Sequence, residues 1–205
     1  MRDWEQVKCW RRARRKELLE ARIQAGGHQR RRWGAFITHH LTSAIPESVG
    51  KTVGFYWPFK GEYDTRPVVR ELEKNGARLA LPVVVTPRSP MEFWAWQPGI
   101  AMVPGVYKIP VPEQRVVVVP DFVLVPLLGF DNAGFRLGFG AGFYDRTLAA
   151  LLPKPFAVGI GFEISRQPTI FPQPHDMPMD LIVTEAGVER GDATVQATAS
   201  EIEDP

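Results

Sequence analysis

The chain has 205 residues, 44% of them hydrophobic and 23% charged, which is typical of a single globular domain with one substantial core. A single cysteine, Cys9, excludes a disulfide framework and a cysteine-rich metal site. No apolar run approaches the ~18 residues of a membrane span. Because the opening residues also lack the apolar segment of a secretory signal, we expect a cytoplasmic protein without a membrane partner.

The net charge of +2 is unevenly distributed along the chain. Residues 1–32 contain eleven Lys or Arg and four Asp or Glu, whereas the remaining residues contain 14 Lys or Arg and 19 Asp or Glu. A basic segment beside a mildly acidic body suits either nucleic acid or a polyanionic small molecule. Charge alone leaves both possibilities open.

Two helices are predicted at the N-terminus. Residues 3–24 contain neither Gly nor Pro and are rich in helix formers, which indicates a long basic helix. We expect Gly26 and Gly27 to end it because glycine adopts positive φ easily. A second helix is predicted over about His28–Ala44, ahead of a proline.

A strand, a helix and a second strand are predicted next. The β-branched and aromatic run Thr52–Trp57 favours a strand. Thr65–Asn75 is typical of a helix with Thr65 as its N-cap and a proline in the first turn. Arg78–Val85 is predicted to be a strand that Pro82 interrupts.

The middle of the chain contains the strand that we expect at the centre of the sheet. Met91–Trp96 alternates apolar and polar residues, as a half-exposed strand does. Residues 97–120 are rich in Pro and Gly and are predicted to form an ordered surface loop. Phe122–Leu128 is apolar on both faces, which suits a central parallel strand covered by helices.

The C-terminal third completes an α/β pattern. A helix is predicted from about Gly142 to Leu152, followed by buried strands over Phe156–Phe162 and Leu181–Thr184. We therefore predict an α/β fold of three layers, α/β/α, with a mostly parallel central sheet and a basic N-terminal helix before it. Residues 1–188 would form the single domain, and residues 189–205 a polar, flexible tail.

A glycine-rich segment, RLGFGAGFYDR at Arg136–Arg146, follows the predicted central strand. Glycine lets backbone amides close on an anion, and the amino end of the following helix favours a phosphate there. Two arginines flank the loop, and Asp145 could hold a magnesium ion. Neither the GxxxxGK[ST] nor the GxGxxG spacing is present. From the spacing alone, the segment could instead be a tight turn between a strand and a helix, in which the glycines only permit close packing and bind no phosphate. The glycines are Gly134, Gly138, Gly140 and Gly142.

RLGFGAGFYDRTL resembles the RLGxGxGYYD signature of the 5-formyltetrahydrofolate cyclo-ligases, also called methenyltetrahydrofolate synthetases. The resemblance extends from about Lys8 to Thr184 and includes residues 62–65, residues 108–110 and the pair His175-Asp176. It implies that ATP phosphorylates the formyl oxygen of 5-formyltetrahydrofolate, after which nitrogen 10 closes the ring and phosphate leaves. The implied co-substrate is ATP and the implied ion is Mg²⁺. We expect a monomer or weak homodimer with small-molecule partners and no nucleic acid.

The resemblance also implies roles for particular residues. Arg11 and Arg15, one turn apart on a helix face, would both reach the ATP phosphates. Asp145 and Arg146 would act in catalysis, and Asp145 and Asp176 would hold the metal. The folate would contact Trp57, Glu62, Tyr107 and Phe143. The full ATP-binding set is Arg11, Arg15, Arg136, Leu137, Gly138, Phe139, Gly140, Ala141, Gly142, Phe143 and Tyr144.

Three positions depart from the family pattern, the first being Arg11, which stands where the family usually has lysine. Ala141 stands where the prototype loop often has lysine, and Phe143 replaces the first tyrosine of the signature. The loop must therefore hold phosphate without that side-chain charge. The alternative is a catalytically weakened paralogue that binds folate or nucleotide without turnover.

Overall fold

The computed structural model describes residues 3–45 and 48–191, and within these ranges it contains four α-helices and two short 3₁₀ helices. No helix in the described ranges is both long and apolar enough to cross a membrane. The α-helices are α1 (Trp4–Gln24), α2 (Gly26–Ala44), α3 (Arg66–Lys74) and α4 (Phe143–Ala150), and the 3₁₀ helices are Val106–Lys108 and Glu163–Ser165.

Eight strands form the central sheet, and two small hairpins lie outside it. The order in the sheet is β12-β11-β10-β7-β1-β2-β3-β6, in which β11, β10, β7, β1 and β2 run parallel while β12, β3 and β6 are antiparallel to their neighbours. The strands are β1 (Thr52–Gly54), β2 (Arg78–Val83), β3 (Glu92–Trp96), β4 (Met102–Pro104), β5 (Pro110–Pro112), β6 (Val117–Val118), β7 (Phe122–Pro126), β8 (Gly129–Phe130), β9 (Arg136–Leu137), β10 (Phe156–Ile160), β11 (Leu181–Thr184) and β12 (Gly187–Arg190).

Side chains of the parallel strands alternate between two cores, one on each face of the sheet. In β7, Leu124 joins the core formed with α2 and α3, whereas Val123 and Val125 join the core formed with α4. This alternation follows from the two-residue period of a strand. The prediction of a three-layer fold with a central, mostly parallel sheet is therefore confirmed.

Helix α1 packs beside the sheet and covers the hairpin β8–β9. Its Leu18 is 6% exposed and belongs to a small core with Leu128, Leu137 and Ile170. Burial of a leucine contributes about 1.5–3 kcal/mol, so this contact fixes α1 against the segment that leads into the glycine loop. The polar face of α1 is thereby held over the carboxyl ends of the strands.

The predicted helix ends are confirmed in position but differ in detail. α1 ends at Gln24 and Gly26 follows with φ of 73°, but α2 already begins at Gly26 rather than at about His28. Thr65 is the N-cap residue of α3, but its hydroxyl donates to the carbonyl of Tyr56 (2.9 Å) and makes no capping hydrogen bond. Pro82 does not interrupt β2, because the pairing of β2 with β1 ends at Ala80 and therefore loses no hydrogen bond.

Three further expectations concern residues 97–120, the length of β1 and the C-terminal tail. Residues 97–120 are more regular than predicted, since they contain the hairpin β4–β5 and the edge strand β6. β1 is shorter than predicted, because the chain leaves the sheet after Gly54. Glu189 and Arg190 belong to β12, and residues 192–205 of the predicted tail lie outside the described residues.

Gly134 serves packing. Its φ is 86°, and a Cβ there would lie 2.8 Å from Gly191 Cα and 3.0 Å from the Met179 carbonyl oxygen. Gly134→Ala is therefore expected to lower the free energy of unfolding by about 2–4 kcal/mol, from positive φ plus overpacking. Gly99→Ala is a matched control, with φ 87° and no atom within 4 Å. Urea unfolding should show that Gly99→Ala lowers the free energy of unfolding by only about 1–2 kcal/mol. Equal losses for Gly134→Ala and Gly99→Ala would refute the packing role.

Candidate active site

The sheet has a switch point between β1 and β7. From β1 the chain passes through α3 to β2 on one side, while β7 lies on the other side of β1. Ligands of open α/β sheets bind beyond the carboxyl ends of the strands at such a point. A cavity of about 1130 Å³ lies there, and residues that follow β1, β2 and β7 line it, among them Tyr56, Val84 and Pro126.

Sixteen of the residues predicted from sequence line this cavity, although they come from distant parts of the chain. Leu137 does not line it, because its side chain is buried in the core beneath the loop. The sixteen are Arg11, Arg15, Trp57, Glu62, Tyr107, Arg136, Gly138, Phe139, Gly140, Ala141, Gly142, Phe143, Tyr144, Asp145, Arg146 and Asp176.

The glycine loop forms one wall of the cavity and leads into α4. Gly140 and Gly142 have φ of 98° and 66°, a region that side chains other than glycine rarely adopt. The first hydrogen bond of α4 runs from Arg146 N to Gly142 O (3.2 Å). The amides of residues 143–145 precede that bond, so the positive end of the helix lies at the cavity.

Arg15 from α1 lies directly against this loop. Its Nε donates to the Gly138 carbonyl (2.9 Å), and a Cβ at Gly140 would lie 3.3 Å from its guanidinium carbon. Burial, together with the positive charge of Arg11, lowers the pKa of Arg15. A guanidinium that is half removed from water and beside another cation is placed to bind an anion.

Arg11 is held in a different way from Arg15. Its guanidinium forms a buried ion pair with Asp176 (2.5 Å), in which both side chains are less than 10% exposed. It also donates to the carbonyls of Ile170 (3.1 Å) and Phe171 (2.8 Å). Arg11 is therefore already bonded within the protein, and its predicted contact with the ATP phosphates stays a prediction.

The two predicted metal ligands differ in the same respect. Asp176 accepts from Arg11 through both oxygens and from the Gln173 amide (2.7 Å). Asp145 Oδ1 accepts from Arg136 Nη2 (3.0 Å) and from the Met177 amide (3.2 Å), whereas Oδ2 has no hydrogen-bond partner among the described residues. No group of three or more His, Cys, Asp or Glu gathers at metal-binding distance in residues 3–45 and 48–191.

Arg136 and Arg146 are held by different contacts. Arg136 is buried and packs over the ring of Tyr144 (5.7 Å to the centroid). Arg146 Nη2 donates to the Ala141 carbonyl (2.6 Å), and its guanidinium lies 5.5 Å from the ring centroid of Phe143. A charged side chain therefore contacts the backbone at the position where the prototype loop carries lysine.

The lining of the cavity also combines a carboxylate with aromatic side chains. Glu62 Oε2 accepts from the Phe59 amide (2.9 Å). Burial raises the pKa of Glu62 to about 7, against the lowering effects of that hydrogen bond and of Arg22. Trp57 packs edge-on against Trp96 (6.3 Å between centroids). Tyr107 is 65% exposed, so its ring is open to a ligand.

Among the residues at or near the cavity that were not singled out from sequence are Phe59, Lys60, Tyr56 and Arg22. Lys60 Nζ lies 5.0 Å and 5.6 Å from the rings of Phe59 and Phe139, which contact each other. Tyr56 and Arg22 are buried close to Glu62. Proximity to Glu62 in sequence could have suggested Phe59 and Lys60, but no local pattern distinguishes Arg22 from its basic neighbours.

These features define an α/β protein in which one cavity is lined by a glycine loop with arginines, a buried carboxylate and aromatic side chains. Residues 7–185 match the model of the 5-formyltetrahydrofolate cyclo-ligase family. The chain belongs to this family and is therefore an enzyme. The resemblance predicted from the glycine loop is confirmed.

Individual relatives agree with this assignment. The 5-formyltetrahydrofolate cyclo-ligase of Escherichia coli (strain K12) is 32% identical over 185 residues, covering 86% of this chain and 97% of the relative. The solution structure of Aquifex aeolicus 5,10-methenyltetrahydrofolate synthetase superimposes with a TM-score of 0.77 at 32% identity, covering 88% and 92% of the two chains. A Mycoplasma pneumoniae 5,10-methenyltetrahydrofolate synthetase at 24% identity (TM-score 0.70, 85% and 98% covered) shares the fold.

Proposed function

We propose that this chain cyclises 5-formyltetrahydrofolate to 5,10-methenyltetrahydrofolate with consumption of ATP. The γ-phosphoryl group would pass to the formyl oxygen, and nitrogen 10 would attack the formyl carbon. The formyl oxygen would then leave as phosphate, which takes the proton of nitrogen 10, so that ADP and phosphate are released. The observation that carries the proposal is that one cavity is lined both by the glycine loop and by Glu62.

The size of the cavity supports two substrates. About 1130 Å³ exceeds the usual range for one drug-sized ligand, roughly 300–1,000 Å³. Phosphoryl transfer requires the donor and acceptor to be held together with charge neutralised around them. A shared cavity provides the first of these conditions, and its arginines and helix terminus supply the second.

At the loop end, we assign the ATP phosphates to three groups of donors. These are the guanidinium of Arg15, the amides at the start of α4, and the guanidinium of Arg146. Arg146 bonds to the Ala141 carbonyl, which keeps positive charge at the loop despite the missing lysine. This contact favours a working enzyme over the weakened paralogue. Arg11 would act by holding Asp176 and the neighbouring loop in place.

At the other end, Glu62 would accept hydrogen bonds from the amino and amide N–H groups of the pterin. Trp57, Phe143 and Tyr107 would pack on its flat surface, as aromatic side chains do with heterocycles. Phe143 has no hydroxyl, so it contributes contact area alone. The reactive formyl group would then lie between the pterin end and the phosphate end.

Magnesium fits Asp145 better than Asp176. Mg²⁺ is usually bound by one or two carboxylates together with substrate phosphates and water, and Asp145 Oδ2 is the carboxylate oxygen without a hydrogen-bond partner in the described part of the chain. When bound, the ion neutralises phosphate charge. Asp176 would support the site through its ion pair with Arg11.

The test is a spectrophotometric assay of methenyltetrahydrofolate formation. We expect purified protein to produce it from 5-formyltetrahydrofolate only when ATP and magnesium are both present. Asp145→Asn is expected to reduce the rate by about 10²–10³-fold. Absence of turnover across a broad range of ATP concentration would overturn the enzymatic proposal, and calorimetry would then show whether folate or nucleotide still binds.

A further inference from the structure

Two buried polar groups beside Glu62 have no hydrogen-bond partner among the described residues. They are the Tyr56 hydroxyl and Nη1 of Arg22, and each residue is 3% exposed. Arg22 uses its other terminal nitrogen to donate to the Leu127 carbonyl. A buried polar group without a partner costs about 1–3 kcal/mol, so its presence calls for an explanation such as a bound ligand.

Tyr56 follows β1 and lines the cavity, and its hydroxyl oxygen is itself buried. Thr65 donates to the Tyr56 carbonyl (2.9 Å), which fixes the local backbone. The phenol interacts electrostatically with Glu62, Tyr63, Tyr144 and Arg22. Arginine carries donors only and cannot take the hydroxyl proton. The hydroxyl proton of Tyr56 has no acceptor among the described residues.

A second tyrosine in the same segment shows the contrast. The hydroxyl of Tyr63 lies 2.7 Å from the hydroxyl of Thr38, and Tyr63 is not among the residues that line the cavity. It belongs to the core formed with α2 and α3. A tyrosine hydroxyl buried here for structural reasons has a partner, whereas that of Tyr56 does not.

We propose that Tyr56 is a further substrate-binding residue whose hydroxyl donates to the ring carbonyl of the pterin. The recognised edge of a 2-amino-4-oxo ring presents two N–H donors followed by a carbonyl acceptor. The Glu62 carboxylate matches the two donors, and the third position requires a donor beside it. This inference rests on the proposed function and adds the group that recognises the third position.

Tyr56→Phe tests the inference, with Tyr63→Phe as the matched control. We expect Tyr56→Phe to weaken the binding of 5-formyltetrahydrofolate about 10- to 100-fold, as measured by calorimetry without ATP. The KM for ATP should not change. The urea midpoint of the empty protein should stay the same or rise, because the lost hydroxyl has no partner. Tyr63→Phe should lower the midpoint and leave folate affinity unchanged.

The outcomes separate this inference from the proposed function. If the parent protein binds 5-formyltetrahydrofolate and Tyr56→Phe binds it equally well, the assignment of Tyr56 is wrong while the proposed function stands. A lower urea midpoint for Tyr56→Phe with unchanged folate affinity would identify a structural hydroxyl and also overturn it. Failure of the parent to bind folate at all would reject both, and it would be seen before any variant is made.

Discussion

Glu62→Gln is expected to weaken binding of 5-formyltetrahydrofolate by at least about 100-fold at pH 8, because two charge-assisted hydrogen bonds become one neutral contact. Calorimetry in the absence of ATP measures this directly. Glu71→Gln, which neutralises an exposed carboxylate on α3, is the control and should bind as the parent does. Equal affinities of the parent and Glu62→Gln would refute the assignment of Glu62.

The same substitution should remove a pH dependence of folate binding. Burial raises the pKa of Glu62 to about 7 in the empty protein, and the charged or titratable groups nearest to it are Arg22, Tyr56 and Tyr144. Binding requires the carboxylate, so affinity should reach a plateau above pH 7 and fall about tenfold per unit below it. Glu62→Gln should show a flat profile between pH 5.5 and 8.

As pH rises, the contribution of Glu62 to stability should fall while the affinity for folate rises. Because the folded-state pKa lies above the ordinary value of 4.5, the folded protein holds the Glu62 proton more tightly than the unfolded chain does. That contribution to stability is complete below pH 4.5 and is lost as pH rises towards 7. Glu62→Gln should therefore unfold with a free energy about 1–3 kcal/mol higher than the parent at pH 8. A destabilised variant at pH 8 would contradict this.

Arg15→Ala is expected to lower kcat/KM for ATP by about 100- to 1,000-fold, since it removes a partly buried charge from the phosphate end. The Nε contact with the Gly138 carbonyl would also be lost, so the loop would be held less firmly. Initial rates at varied ATP, with saturating folate and magnesium, measure the effect. The KM for 5-formyltetrahydrofolate should change much less.

Neighbouring variants make the Arg15 result specific. Arg14 pairs with Glu17 on the exposed side of α1, so Arg14→Ala should leave kcat/KM unchanged. Arg15→Lys keeps the charge without the planar fork of donors and should recover part of the loss. A decrease of similar size for Arg14→Ala and Arg15→Ala would mean that general charge on α1, rather than contact with the loop, supports activity.

The family could be predicted because its glycine-loop signature is contiguous in sequence, and the resemblance then implied site residues in distant parts of the chain. The glycine loop combines four glycines, two arginines and an aspartate within thirteen residues, and its chemistry is readable from that composition. The central strand Phe122–Leu128 was recognisable from apolar residues on both faces, and β7 does lie between β10 and β1. The start of α2 at Gly26 and the hydrogen bond from Thr65 to the Tyr56 carbonyl depend on contacts that propensity does not encode.

By itself, the sequence determined the order of helices and strands, the basic character of α1 and the position of the loop after the central strand. Only the tertiary structure decided which charged side chains are already held in ion pairs and which face the glycine loop. Arg11 pairs with Asp176 across 165 residues of sequence, while Arg15, one turn away, faces the loop. Burial and partner choice depend on such distant contacts, whereas a local pattern reports only on residues within a few positions of each other. The unpartnered hydroxyl of Tyr56 could be found only in the folded chain for the same reason.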